Sequence, residues 1–126
     1  MTTFKTTIVY ILAAFFFAAG IMHFVHVDSF VAIVPPLFPL PKLIVWVTGV
    51  MELIMAVMIL CPHYRANVGV ILSLYLLAVL PANIYMAVAE IGFGDIVTSQ
   101  GALWFRVFLQ FPLIALILWA TRPAKS

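Results

Sequence analysis

The sequence predicts an all-α membrane protein, a bundle of four transmembrane helices with a proline-rich interfacial segment between the first two helices. Of its 126 residues, 67% are hydrophobic and only 8% are charged. Four apolar stretches are each close to the length of about 20 residues that a helix needs to cross a bilayer. The chain has room for a single four-helix domain, residues 1–126, and for no separate soluble domain.

The first span is predicted at about residues 7–27 and carries two histidines at its far end, His23 and His26. A spacing of three residues places both on one face of a helix. Asp28 and Ser29 are expected to end this helix. The N-terminal stretch resembles a signal peptide in its pattern, but we expect it to be retained as a span.

Residues 30–42 contain prolines at 35, 36, 39 and 41. These prolines exclude a continuous helix because proline lacks the amide hydrogen that a helix needs. The apolar residues between them exclude a solvated loop. We therefore predict a segment that lies in the membrane interface or folds over the mouth of the bundle.

The second span, residues 43–60, is apolar or small except for one carboxylate, Glu52, near its middle. Eighteen residues make a helix of roughly 27 Å, close to the thickness of the hydrocarbon core. A charged residue at that depth costs about 2.5–3.5 kcal/mol. Glu52 must therefore face protein or water, stay protonated, or have a partner.

The third span, residues 68–89, contains Pro81, where we predict a kink, and Asn83. The loop of residues 90–101 is polar and includes Asp95. The fourth span, residues 102–120, contains Arg106 and Gln110.

Basic residues predict the orientation of the bundle. With four spans both termini lie on one side, where most of the basic residues also gather: Lys5, Arg65, Arg122 and Lys125. The positive-inside rule then places both termini in the cytoplasm, and we expect the bacterial cytoplasmic (inner) membrane as the location.

The net charge of +2 is too small and scattered to indicate nucleic-acid binding. A lone cysteine, Cys61, excludes an intrachain disulfide.

The polar residues inside the spans converge on one level of the membrane. Counted at about 1.5 Å per residue from the outer helix ends, all of them lie in the outer half. We predict that they form one ligand-binding site: His23, Glu52, Asn83, Arg106 and Gln110. His26, Phe24 and Trp104 are predicted to line its mouth.

These residues also have structural explanations. Glu52 and Arg106 are candidates for a buried ion pair, and such a pair is costly to break by removing one partner. Asn83 and Gln110 are typical of residues that form hydrogen bonds between membrane helices. Gly20 and Gly49 are expected to permit close helix approach.

At these positions the sequence resembles the DoxX family of small four-helix membrane proteins. The resemblance covers nearly the whole chain and rests on these pieces: residues 20–24 (GIMHF), 33–36 (IVPP), 48–52 (TGVME), 81–83 (PAN), and Arg106 with Gln110. It implies an association with redox chemistry, since the family name comes from a thiosulfate:quinone oxidoreductase. Related four-helix proteins act as chaperones or cargo receptors.

We therefore expect a redox-linked membrane subunit that binds a quinone or a similar hydrophobic ligand. A quinone needs an apolar slot with a few polar groups near its carbonyls. The alternatives are a chaperone or assembly factor without catalysis and a small proton-coupled transporter. Two histidines with a carboxylate are able to ligate a metal, but no metal, haem or flavin signature accompanies them, and we expect no metal.

A stand-alone enzyme is not expected, because nothing in the sequence supplies an electron donor. Expected partners are the lipid bilayer and a membrane or redox protein, with no nucleic acid. The sequence leaves open whether the chain forms a homo-oligomer.

Overall fold

Five α-helices make up the described part of the chain, which comprises residues 3–32, 34–89 and 100–123 of a computed structural model. In chain order they are α1 (Thr3–Val25), α2 (Val27–Val31), α3 (Pro41–Met58), α4 (Arg65–Val88) and α5 (Gln100–Thr121). All except α2 are long and apolar enough to cross a membrane. The prediction of an all-α fold with four spans is confirmed.

The helix boundaries differ from the predicted ones at several places. Asp28 and Ser29 do not end the first helix; it breaks at His26, where φ is −115° and ψ is 48°, and α2 then includes both residues. The predicted third span, residues 68–89, corresponds to α4. This helix begins at Arg65, three residues earlier than predicted. It also continues through Pro81, so the predicted kink stays a prediction. The predicted polar loop with Asp95 falls mostly outside the described residues.

Residues 34–40 form an irregular segment between α2 and α3 that agrees with the exclusion of a continuous helix. Its last residue, Leu40, has a left-handed φ of 52°, and Pro41 then begins α3. Leu37 and Leu40 are 87% and 67% exposed, so this segment presents apolar side chains outward. Such a surface suits a membrane interface.

The helices pack as two close pairs, α1 with α3 and α4 with α5. Glycines permit the close approach of α1 and α3, as predicted: a Cβ at Gly20 would lie 3.1 Å from the carbonyl oxygen of Gly49. A Cβ at Gly49 would lie 2.7 Å from the Cβ of His23. In the other pair, a Cβ at Gly69 would collide with Thr121.

The beginning of α1 and the end of α5 lie at the same end of the bundle. Lys5 places its Nζ 5.1 Å from the ring centroid of Trp119, and the rings of Phe4 and Trp119 are 5.8 Å apart. A large apolar cluster fills this end with residues from all four spans, such as Val9, Phe16, Ile59, Leu72 and Ile117. We call it the closed end.

At the opposite end, a smaller apolar cluster takes its buried members from α4 and α5: Met86, Ala87, Leu103 and Val107. Buried packing of the α1–α3 pair against the α4–α5 pair is therefore confined largely to the closed end. Beyond the closed end, the α1–α3 pair and the α4–α5 pair leave space between them, and this space holds the candidate site.

Candidate ligand-binding cavity

A cavity of about 470 Å³ is lined by residues of all five helices. Most of its wall is apolar, with side chains such as Phe16, Met22, Phe30, Val45, Leu76 and Leu109. The five residues predicted to bind a ligand, His23, Glu52, Asn83, Arg106 and Gln110, all line this cavity. The structure thus brings them together around one space, and ligand binding there stays a prediction.

Glu52 is the most deeply placed charged residue of the site, with only 6% of its surface exposed. It lies on the buried face of α3, one turn after Gly49, so the close α1–α3 contact shields it from lipid. The hydroxyl of Tyr75 on α4 donates a hydrogen bond to its carboxyl group. The same hydroxyl lies beside that of Thr48, one turn before Glu52. A carboxyl group in the membrane interior thereby obtains a polar neighbour from another helix.

His23 contacts Glu52 from α1. Its Nδ1 lies 2.8 Å from the carbonyl oxygen of Ala19 and 3.2 Å from Oε2 of Glu52. Because a carbonyl oxygen only accepts, Nδ1 must carry the hydrogen and donate it to Ala19. The imidazole is held further by stacking on Phe30 of α2, with ring centroids 3.9 Å apart. His23 is therefore fixed in place beside the carboxyl group.

Two buried polar atoms of the cavity have no hydrogen-bond partner among the described residues: Oε2 of Glu52 and Oε1 of Gln110. Gln110 is 7% exposed, and its Nε2 donates to the carbonyl oxygen of Leu76 on α4, 3.3 Å away. Most buried polar atoms in proteins are hydrogen-bonded, and leaving one unpaired costs about 1–3 kcal/mol. Both exceptions belong to side chains that line the same cavity.

Arg106 does not pair with Glu52 in the described part of the chain. Its Nη1 lies 3.4 Å from Sδ of Met86, and the residue is exposed as well as lining the cavity. The physical reason is that α3 and α5 do not pack against each other, because the cavity lies between them. The neighbours of Glu52 are His23 and Tyr75 instead.

The three residues predicted at the mouth do not line the cavity. Phe24 lies beside Gly49 on the outside of the α1–α3 contact, and His26 is exposed at the break between α1 and α2. Trp104 packs against the α4–α5 core and Phe108. For His26 the reason is the break between the two helices, after which α2 places Phe30 against His23.

Sequence reasoning missed Tyr75 and Thr48 as parts of the site. Tyr75 is 7% exposed and lies eight residues before Asn83, a spacing close to two helical turns that puts both on one face. A tyrosine in the middle of a span, whose hydroxyl needs a partner when buried, was the available signal. Thr48 lies one turn before Glu52, but its hydroxyl also donates to the carbonyl of Ile44, as threonines in helices commonly do.

The arrangement suits a molecule that is largely apolar and has a polar head. The apolar wall removes hydrocarbon or ring surface from contact with water or headgroups. The polar lining provides donors in Arg106 and Asn83 and acceptors in Glu52 and Gln110. A pocket of this size, apolar with a few convergent polar groups, is typical of small-molecule sites.

Comparison with known proteins gives one match. A family model described as a domain of unknown function (DUF8561) covers residues 12–123, which include every residue that lines the cavity. Neither a curated protein nor a solved structure matches the chain.

Proposed function

The chain belongs to the family described as a domain of unknown function (DUF8561), and since that description assigns no activity, we propose a function from the cavity itself. In this proposal the protein binds a lipophilic small molecule within the membrane, with its polar head beside Glu52 and Gln110. The observation that carries the proposal is that all four spans direct polar residues into one cavity with otherwise apolar walls.

A quinone-type lipid is the ligand class that we propose. Its ring fits among aromatic and aliphatic side chains, and its oxygens need a few polar partners. The resemblance of the sequence to the DoxX family supports the same class and a role as a redox-linked subunit beside a partner protein. An isoprenoid tail is able to leave between the two helix pairs into lipid, so the site needs no aqueous entrance.

The size of the cavity favours ligand binding over a purely structural role. An assembly factor that uses its polar residues only to fix the bundle would be expected to have a well-filled centre, as protein interiors usually are. Here Glu52 and Gln110 each keep one buried polar atom without a partner among the described residues, which a purely structural role does not explain.

Mass spectrometry of lipids extracted from the purified protein tests this proposal. Material purified in mild detergent should contain a quinone-type lipid well above the level in an unrelated four-helix membrane protein. Ala82→Phe, which puts a ring into the cavity, should remove the lipid. Ala78→Phe, one turn earlier on α4 and exposed outside the cavity, should leave it in place. Recovery at the level of the unrelated protein would contradict the proposal.

We also propose that the closed end of the bundle faces the cytoplasm. Lys5, Arg65 and Arg122 lie at this end, whereas Lys42 lies at the other. Cys61 follows α3 at the closed end and is exposed. In intact cells, an impermeant thiol reagent should therefore leave Cys61 unlabelled until the membrane is permeabilised. Leu37→Cys in a Cys61→Ser background should react from outside, and the reverse pattern would invert the proposed orientation.

A further inference from the structure

We infer that the cavity selects ligands whose head donates hydrogen bonds, so that a hydroquinone or another hydroxylated ring binds more tightly than its quinone or its alkyl ether. This inference rests on the proposed function, because it specifies the chemistry of the ligand head in the same cavity. The observation behind it is separate from the shape of the cavity: within the described part of the chain, the two buried atoms of its lining that have no partner are both oxygens that accept hydrogen bonds.

Gln110 determines the preference most directly. Its amide could in principle present either its oxygen or its nitrogen to the cavity, since both ends have the same shape. The carbonyl oxygen of Leu76 decides between them, because it requires a donor and so takes Nε2, at 3.3 Å. Oε1 is left buried, with no partner among the residues that the structure describes. A ligand hydroxyl would satisfy it, whereas a ligand carbonyl would place one acceptor against another.

Glu52 provides a second acceptor in the same cavity, from a different helix. Tyr75 donates to the carboxyl group, and Nδ1 of His23 directs its hydrogen to Ala19, so Oε2 receives no hydrogen bond although the imidazole is 3.2 Å away. An ionised carboxylate accepts only, while a neutral carboxyl group both donates and accepts. A hydroxyl is able to bond with either form, because it also does both.

The two acceptors belong to different helices and line the same cavity. Glu52 belongs to α3 and Gln110 to α5, and these helices do not pack against each other. Both helices pack against α4, where Tyr75 bonds with Glu52 and the adjacent residue, Leu76, bonds with Gln110. A head with two hydroxyl groups therefore carries one donor for each acceptor.

A set of three matched ligands tests the inference on the full-length protein in lipid nanodiscs. The probes are a decyl-substituted benzoquinone, the corresponding hydroquinone, and the dimethyl ether of that hydroquinone, which keeps the ring and loses the donors. Dissociation constants come from equilibrium binding, with the hydroquinone measured under anaerobic, reducing conditions. We expect the hydroquinone to bind about tenfold more tightly than either of the others. A ratio of this size is expected when a ligand hydroxyl donates a hydrogen bond to one buried acceptor that otherwise has no partner.

Substitution of Gln110 provides the matched control on the protein side. Gln110→Met keeps a side chain of similar length without the amide, and it should bring the affinity for the hydroquinone close to that for the quinone. Phe108→Ala, exposed on the same helix, should preserve the tenfold preference.

The outcomes separate this inference from the proposed function. Equal affinity of the wild-type protein for all three probes, or tighter binding of the quinone, would overturn the inference and leave the ligand-binding function standing. Binding of none of them would overturn both. The ligand series needs only the wild-type protein, so the test holds even if Gln110→Met fails to fold.

Discussion

Replacing Gly49 with alanine should destabilise the bundle by about 1–3 kcal/mol, the usual cost of forcing an extra carbon into a well-packed contact. The added Cβ would lie 2.7 Å from the Cβ of His23 and 2.9 Å from Cε2 of Phe24. The Cβ of His23 is tied to the backbone of α1, so the contact cannot be relieved by rotating a flexible side chain. The α1 and α3 helices must move apart instead.

The same substitution should also weaken binding in the cavity, because moving α1 displaces His23, which contacts Glu52. Thermal unfolding in detergent measures the first effect, and the amount of co-purified lipid measures the second. Val50→Ala, at the next residue on the exposed face of α3, should alter neither by a comparable amount. If Gly49→Ala were as stable as Val50→Ala, the close contact of α1 and α3 would be contradicted.

The spans and the level of the polar residues could be predicted from the sequence because both depend on position along a helix. Hydropathy locates a span, and counting from its end locates Glu52 or Gln110 within it. All five predicted residues line one cavity in the structure, as expected for residues at similar positions along their spans. The position of a residue along its span can thus be predicted from the local sequence.

The partner of Glu52 could not be predicted in the same way. Residues at one depth on four helices are all candidates, and hydropathy does not say which helices are neighbours. Arg106 was the natural choice by charge, yet α3 contacts α1 most extensively and does not pack against α5. The carboxyl group consequently meets His23 and Tyr75. Pairing of helices depends on small residues such as Gly20 and Gly49, whose effect appears only once two helices are placed together.

Arg65, near a helix end, is a second residue whose contacts could not be predicted from the sequence. In the sequence it is one of several basic residues that indicate orientation, which suggests a solvated side chain. In the structure it is only 6% exposed, because its side chain folds back over the end of α3. Nε donates to the carbonyl oxygen of Ile59 at 2.9 Å, and Nη2 donates to that of Leu60 at 3.0 Å.

Arg65→Ala should therefore lower the free energy of unfolding by about 3 kcal/mol or more, since hydrogen bonds to charged groups contribute about 1.5–3 kcal/mol each. The last carbonyls of a helix have no partner within the helix, and removing the guanidinium would leave those of Ile59 and Leu60 without these two bonds. Loss of the positive charge beside the C-terminal end of α3 adds to the effect. Unfolding in detergent, followed by circular dichroism, measures the change.

Two variants at the same end of the bundle distinguish this role from a general effect of charge. Arg65→Lys keeps the charge but has one ammonium group in place of the planar fork, so it should recover only part of the lost stability. Arg122→Ala removes an exposed positive charge just beyond α5 and should change stability by less than about 0.5 kcal/mol. Because Arg65 lies at the closed end, its replacement should leave the ratio of hydroquinone to quinone affinity unchanged in protein that remains folded. Equal stability of Arg65→Ala and Arg122→Ala would show that the bonds to the end of α3 contribute nothing to the fold.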